Sequence, residues 1–321
     1  MAPPRGSDIM RLRINLSPSE SSRTNCLVCA GIARIMLHKG DLNLFACEQC
    51  SLVFLHPLPD RAIRDRYLYE HDLAAHFAPW HPRKRVLFGR RLGQFSSPGG
   101  GQRMCDVGCA DGQFLALARS AGWDCFGVEL NPPAAARAQS LGLNVVQGAL
   151  EDLPDLPWGT FDVVTSWDAL EHVPAPDLFV ERMIQLARPG GRIVVTTLNI
   201  DSLAFRVFRH CWSMIGDEHF TYWNVRSLSQ LFTSQRARVV RTESFGLGRD
   251  FVRPLDTAQA GMRKARRTAR PVRATVHDVP QSWDVRSSVL LAERTINALL
   301  SPVHAGVDIM CVAERPSPDG A

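Results

Sequence analysis

Four of the nine cysteines are placed to do chemistry together. They occur as Cys26-Leu-Val-Cys29 and Cys47-Glu-Gln-Cys50, two C-x2-C pairs with 17 residues between them. Two residues between thiolates let both sulfurs of one tight turn face a single ion, and a second such turn completes a tetrahedron with Zn–S bonds near ~2.3 Å. Four thiolates leave no open position for water, so the metal such a set would hold is structural. An odd number of cysteines and no secretory signal argue against a disulfide framework. The other five, Cys105, Cys109, Cys125, Cys211 and Cys311, are expected as small core residues.

A second constellation lies in Arg103-Met-Cys-Asp106-Val-Gly108-Cys-Ala-Asp-Gly112. Glycine permits positive φ and removes the β-carbon, so a ligand can approach the backbone and the start of a following helix. The dinucleotide fingerprint is G-x-G-x-x-G, whereas this segment reads D-x-G-x-x-x-G, with a carboxylate where a pyrophosphate would be repelled. Asp106 there suits a cationic partner. Glu129 follows it by 23 residues, at the end of the next apolar run, and is placed to take both hydroxyls of a ribose. A plain tight turn is the alternative for Gly108 and Gly112 taken alone.

The elements that must position these residues follow from periodicity. Arg34–His38 and Leu42–Phe45 read as strands joined at Lys39-Gly40, which makes residues 25–60 a zinc ribbon after a disordered tail at 1–24. Residues 61–98 read as a helical linker ending in Ser96-Ser-Pro-Gly-Gly-Gly101, a boundary. Strands are expected at 104–107, 125–128, 143–146, 161–165, 193–197 and 238–242, and helices at 113–121, 132–141 and 176–188. Alternation of this kind predicts an α/β fold with a mostly parallel sheet, over 99–316. An insertion at about 250–304 breaks the pattern, and Val307–Ala313 reads as a last strand returning antiparallel at the sheet's end. Ligands of such sheets bind outside the carboxyl ends of the strands.

Four segments carry a resemblance: Cys105-Asp-Val-Gly-Cys-Ala-Asp-Gly112, Gly127-Val-Glu129, Phe161-Asp-Val-Val-Thr-Ser-Trp-Asp-Ala-Leu-Glu-His-Val173, and Leu186-Ala-Arg-Pro-Gly-Gly-Arg-Ile-Val-Val195. In this order they resemble the class I S-adenosylmethionine-dependent methyltransferases, with their Rossmann-like sheet, and within them the ubiquinone-biosynthesis O-methyltransferase group. The ribbon, with Cys47-Glu-Gln-Cys50-Ser-Leu-Val-Phe-Leu-His-Pro, is similar to the zinc-binding start of a bacterial subgroup that modifies sugars or secondary metabolites. The resemblance implies S-adenosylmethionine as cofactor, with Asp106, Gly108, Cys109 and Gly112 around its amino-acid end and Glu129 and Leu130 at its ribose. It further implies the Trp167 backbone at the methionine moiety. Family members often carry an acid after the third strand for the adenine amino group. Here Gly148-Ala149-Leu150 stands instead, so Ala149 and Leu150 backbone groups, or Glu151 and Asp152, would serve.

Methyl transfer is an in-line displacement in which alignment does most of the work, and a hydroxyl acceptor usually calls for a general base. His172, after the fourth strand, and His219, in Gly216-Asp-Glu-His219-Phe-Thr-Tyr222, are the candidate bases; holding the loop is the alternative role for His172, and a plain surface-loop histidine the alternative for His219. Phe205, Phe208, Trp212, Phe220, Tyr222 and Trp223 could wall a planar acceptor or pack in the core. The expected reaction is O-methylation of a sugar, quinone-like or secondary-metabolite hydroxyl. Two alternatives remain: an RNA methyltransferase using the ribbon and a basic run, and a non-catalytic module that binds the cofactor.

Composition bounds the partners. The 321 residues carry 37 Lys and Arg against 32 Asp and Glu, a net charge of +5 that is too diffuse to announce a nucleic-acid binder. Six of the bases fall between Arg263 and Arg273, a stretch suited to a solvated face or to an anionic membrane surface. DNA is not expected as a partner, and the ribbon's shortage of interleaved basic and aromatic residues argues against RNA. No run reaches the ~18 apolar residues of a membrane span, and no signal-like segment opens the chain, so a cytoplasmic setting is expected.

Overall fold

A computed structural model gives the structure of residues 22–59, 81–95, 101–247, 250–251 and 295–317. The expected tail up to 21, most of the 61–98 linker, most of the 250–304 insertion and with it the basic run at 263–273 lie outside these described residues.

The larger of two sheets is built from β5 (Arg103–Val107), β6 (Asp124–Glu129), β7 (Asn144–Gln147), β8 (Phe161–Trp167), β9 (Ala187–Leu198), β11 (Arg238–Phe245) and β12 (Asp308–Glu314). Its order is β11-β12-β9-β8-β5-β6-β7. Five neighbouring strands from β9 to β7 are parallel, and β12 runs antiparallel to both its neighbours. The expected antiparallel strand is therefore present, one place in from the edge, between β9 and β11. The chain proceeds from β5 to β7 on one side and then returns to β8 on the other, so the order reverses between β5 and β8. That is where open α/β sheets bind ligands.

Helices cover the sheet: α1 (His81–Leu92), α2 (Gln113–Ser120), α3 (Pro132–Ser140), α4 (Pro176–Leu186), α5 (Leu203–Phe208) and α6 (Val225–Ser234). Local chemistry starts them. Asn131 caps α3 by accepting from Ala134 N, with Pro132 at the first helical position. Asn224 and Ser227 form a reciprocal capping box on α6. β9 begins six residues before the expected strand. Ala187 already pairs with Phe161, and an irregularity follows before Val163 pairs with Arg192. The close passage is possible because Gly191 has no side chain: a Cβ there would lie 2.8 Å from the carbonyl oxygens of Arg188 and Phe161.

The smaller sheet is β1 (Arg23–Asn25), β2 (Ile32–Lys39), β3 (Leu42–Cys47), β4 (Val53–Leu55) and β10 (Thr221–Tyr222), antiparallel and in that order. Two expectations are corrected here. Arg23 and Thr24 are strand rather than tail, because they pair with Arg34 and Ala33. The ribbon also does not stand apart: its fourth strand pairs with a strand contributed much later in the chain, Thr221 opposite Phe54. Leu52, Phe54 and Phe45 join Trp223, Leu228 and Leu231 in one apolar core with the large sheet. Among the described residues, no helix is long and apolar enough to cross a membrane.

Candidate active site and four-cysteine cluster

The crevice at the sheet's reversal is formed by the ends of β5, β6, β8 and β9. Asp106 lies opposite Thr165 across β5 and β8, and its carboxylate accepts from the threonine hydroxyl at 2.6 Å. After β5 the chain turns at Gly108 (φ +74), whose N–H reaches the Val128 carbonyl at 2.8 Å. A Cβ on Gly108 would come within 2.9 Å of the Ala169 Cβ, so glycine keeps the β5 and β8 loops in contact. Glu129, nearly completely buried, ends β6. One of its oxygens accepts from Ala110 N and the other from Asn131 N, both at 2.7 Å. Burial raises its carboxyl above the ordinary range despite these donors.

Other expected cofactor positions divide by what their side chains do. Gly112 is left-handed (φ +79), and a Cβ there would meet Leu143 Cδ1 at 2.4 Å and Ala138 Cβ at 3.0 Å. Its constraint is thus the packing of α2 against α3. Cys109 packs its thiol among Leu115, Ala135 and Val145, and burial pushes that thiol well up. The Trp167 indole lies against Phe114 and Phe88, with ring centroids 4.9 and 5.5 Å away. For Cys109 and Trp167 only the backbone remains to face the crevice. Leu150 is a core side chain, Gly148 donates to the Glu129 carbonyl at 2.9 Å, and Leu130 and Ala149 are partly exposed beside them. Burial also raises the carboxyl of Glu151, the nearest acid after β7.

His172 and His219 come from segments 47 residues apart and meet with ring centroids 4.8 Å apart. His172 Nδ1 lies 2.7 Å from the Glu218 carbonyl and His219 Nδ1 lies 2.6 Å from the Met214 carbonyl. A carbonyl only accepts, so each Nδ1 carries the hydrogen, and a neutral His219 ring keeps its Nε2 lone pair. Burial holds the His219 imidazolium below its ordinary value, against the opposing pull of Glu218. Sequence reasoning missed two neighbours. Glu171 is buried, accepts from Thr197 Oγ1 at 2.8 Å, and its ligand-type atoms and those of the two histidines lie within 4.8 Å of one another. Such a group can share a proton or a cation. Asp168 follows β8 in a left-handed conformation (φ +54) and accepts from Thr196 Oγ1 at 2.8 Å; strain of this kind gathers at functional sites. The spacing Asp168-Ala-Leu-Glu171-His172 was the available signal.

The aromatic span does not wall a pocket. Trp212, Phe220, Tyr222 and Trp223 are fully buried and Phe205 nearly so, because this stretch fills the joint between the two sheets. Cys211 is exposed rather than a core residue; Cys105, Cys109 and Cys311 are buried and Cys125 is partly so.

At the ribbon, the four expected thiols converge. Cys26 Sγ lies 3.5 Å from Cys50 Sγ and Cys29 Sγ 3.4 Å from Cys47 Sγ. Bonds of ~2.3 Å at the tetrahedral angle set sulfurs about 3.8 Å apart, and a disulfide would need ~2.0 Å, so the set fits a metal. Backbone N–H groups of Val28, Gln49 and Cys50 point at Cys26 and Cys47 Sγ from 3.4–3.5 Å, the donors a thiolate charge requires. The Cys50 thiol hydrogen bonds to Cys26, lowering the latter to about 5 and raising itself.

A seven-stranded sheet of this order, with a glycine turn after its first strand and an acid at the tip of its second, is the class I S-adenosylmethionine-dependent methyltransferase fold. The chain belongs to the methyltransferase domain family, whose model matches residues 66–240. It is similar to the ubiquinone biosynthesis O-methyltransferase of Methylococcus capsulatus, at 38% identity over 31% of this chain and 44% of the relative. It is also similar to the enzyme of that name from Pectobacterium atrosepticum, at 32% identity over 46% of this chain and 61% of the relative. The chain thus spans about half the length of these curated relatives. Phosphoethanolamine N-methyltransferase 2 of Haemonchus contortus, solved with S-adenosyl-L-methionine, shares the fold. Its TM-score is 0.54 at 15% identity, covering 88% of this chain and 71% of that one.

Proposed function

We propose that this chain is a methyltransferase that moves the methyl group of S-adenosylmethionine to a hydroxyl of a small molecule, with His219 as general base and His172 as its partner. The observation that carries this is the histidine pair beside the sheet's reversal, each ring oriented by a carbonyl at Nδ1, which leaves His219 Nε2 to accept a proton. When bound, S-adenosylmethionine supplies an electrophilic methyl group. Asp106 offers a carboxylate to its amino group, Glu129 turns its remaining lone pairs to the ribose hydroxyls, and backbone at Gly108, Trp167, Ala149 and Leu150 lines the rest. His219, kept neutral by burial, takes the acceptor's proton as the new C–O bond forms. His172 ties the 216–219 loop through Glu218. The names of the relatives, biosynthetic O-methyltransferases of ubiquinone and tocopherol, support a phenolic or similar hydroxyl. Zinc in the four-cysteine cluster would be structural.

The test is an incubation of cell extract with labelled S-adenosylmethionine, followed by mass spectrometry of the methylated product. Changing His219 to Gln should cut turnover by about 10²–10⁴-fold, the usual worth of a positioned base, and leave cofactor affinity in place. Full turnover in His219→Gln would remove the base assignment, and cofactor binding with no labelled product would favour a module that only binds.

A further inference from the structure

Lys39, the last residue of β2, reaches out of the ribbon. Its ammonium donates to the carbonyls of Trp212 at 2.9 Å and Ile215 at 2.7 Å, 173 and 176 residues away in sequence. Between those two carbonyls lies that of Met214, the acceptor of the His219 Nδ1 hydrogen at 2.6 Å. A charged donor bridging two carbonyls of one turn fixes the tilt of the peptides between them, and hydrogen bonds to charged groups are roughly twice as strong as neutral ones. The tilt of the Met214 carbonyl in turn decides which nitrogen of His219 bears hydrogen. Weaker contacts complete the turn: the Tyr222 hydroxyl lies 3.4 Å from both Met214 O and Gly216 N.

The two C-x2-C turns sit at the opposite end of the same hairpin, Cys26 and Cys29 before β2 and Cys47 within the end of β3. Eight strand residues at ~3.3 Å each put Lys39 about 25 Å along the strand from that end. The residues that follow Lys39 (Asp41, Leu42 and Asn43) and those that follow Ile215 (Gly216 and Asp217) border one open cleft of about 560 Å³.

We propose that Lys39 is a positioning residue for His219, so that the four-cysteine ribbon sets the tautomer of the acceptor-side histidine through the β2–β3 hairpin. The catalytic meaning of this contact rests on His219 being the base; the contact itself does not, and the experiment separates the two. Full-length protein labelled with 15N-histidine is examined by long-range proton–nitrogen correlation, with His219 assigned from its missing signals in His219→Gln. The parent should show hydrogen on Nδ1 and a bare Nε2. Lys39→Met, which keeps the stem and removes the donors, should shift His219 to a mixture of tautomers while metal content stays at the parent's level. Lys39→Arg should restore the parent pattern. Unchanged His219 signals in Lys39→Met would overturn the proposal, as would a shift that Lys39→Arg fails to reverse. If Lys39→Met does not fold, the same comparison is made with Lys39→Gln against Lys39→Arg, and identical His219 signals in those two overturn it as well. Turnover surviving in His219→Gln would sink the base assignment while leaving the tautomer result standing.

Discussion

Glu129→Ala removes a carboxylate that binds the loop after β5 to the start of α3. Its oxygens accept from Ala110 N and Asn131 N at 2.7 Å each, in a site almost closed to water. Leaving a buried donor unmet costs about 1–3 kcal/mol, so two cost about 2–6 kcal/mol. Relief from burying a charge offsets part of this, and the net loss should be about 2–4 kcal/mol. In a domain of this size that lowers Tm by roughly 5–15 °C. Glu129→Gln recovers at most half, since its amide sets an NH2 group against one of the two backbone donors. The direction of the carboxyl shift adds a second signature. Its folded pKa is raised by burial, so between the unfolded and folded values the native state binds more protons. Stability is then fullest below that window and falls as pH rises through it. Urea titrations of parent and Glu129→Gln across the acid range should therefore diverge, the parent losing stability with rising pH and the variant lacking that component. Calorimetry with S-adenosylmethionine on the folded Gln variant should show affinity weakened by about 1–3 kcal/mol. An Ala variant as heat-stable as the parent would refute the reasoning about the two donors.

Gly112→Ala combines a left-handed φ with a Cβ 2.4 Å from Leu143 Cδ1. It should lose about 2–4 kcal/mol in urea denaturation, whereas Gly122→Ala, also left-handed but with open space around it, should lose only the backbone part, about 1–2 kcal/mol. Equal losses would mean that α2–α3 packing does not restrict Gly112. Cys47→Ser should release the metal, read by elemental mass spectrometry against the parent; equal metal content in both proteins would dispose of the site. For the methyl transfer, kcat/KM should fall only when pH drops below the ordinary imidazole range, because burial lowers the His219 value and protonation removes the base. An acid limb at or above that range would contradict the assignment.

The parallel sheet was legible because its strands are short buried runs set between helical periodicities, and the observed ends of β5, β6 and β8 fall within two residues of expectation. The four thiols were legible because C-x2-C spacing is a local property of a turn. Pairing between distant segments was not. Nothing in Thr221-Tyr222 announces that it continues the sheet of Val53–Leu55, and for that reason the sequence left open whether the aromatics around it wall a pocket or pack in the core. The same blindness hid Glu171, whose carboxylate accepts from Thr197 on β9, and Lys39, an ordinary turn lysine until its partners are known. Gly112 was read as making room for a ligand, although the room it makes is for Leu143.

The shared strand pair, Thr221 opposite Phe54 and Tyr222 opposite Val53, bears on any attempt to dissect the chain. Severing it between Pro59 and His81 would leave Leu55 without its bond to the Phe220 carbonyl and uncover Trp223 and Leu228. Both fragments would then display a raw strand margin and an oily flank, the conditions under which chains clump. The amino-terminal ribbon and the remainder are thus obliged to travel as one body, expressed and melted together.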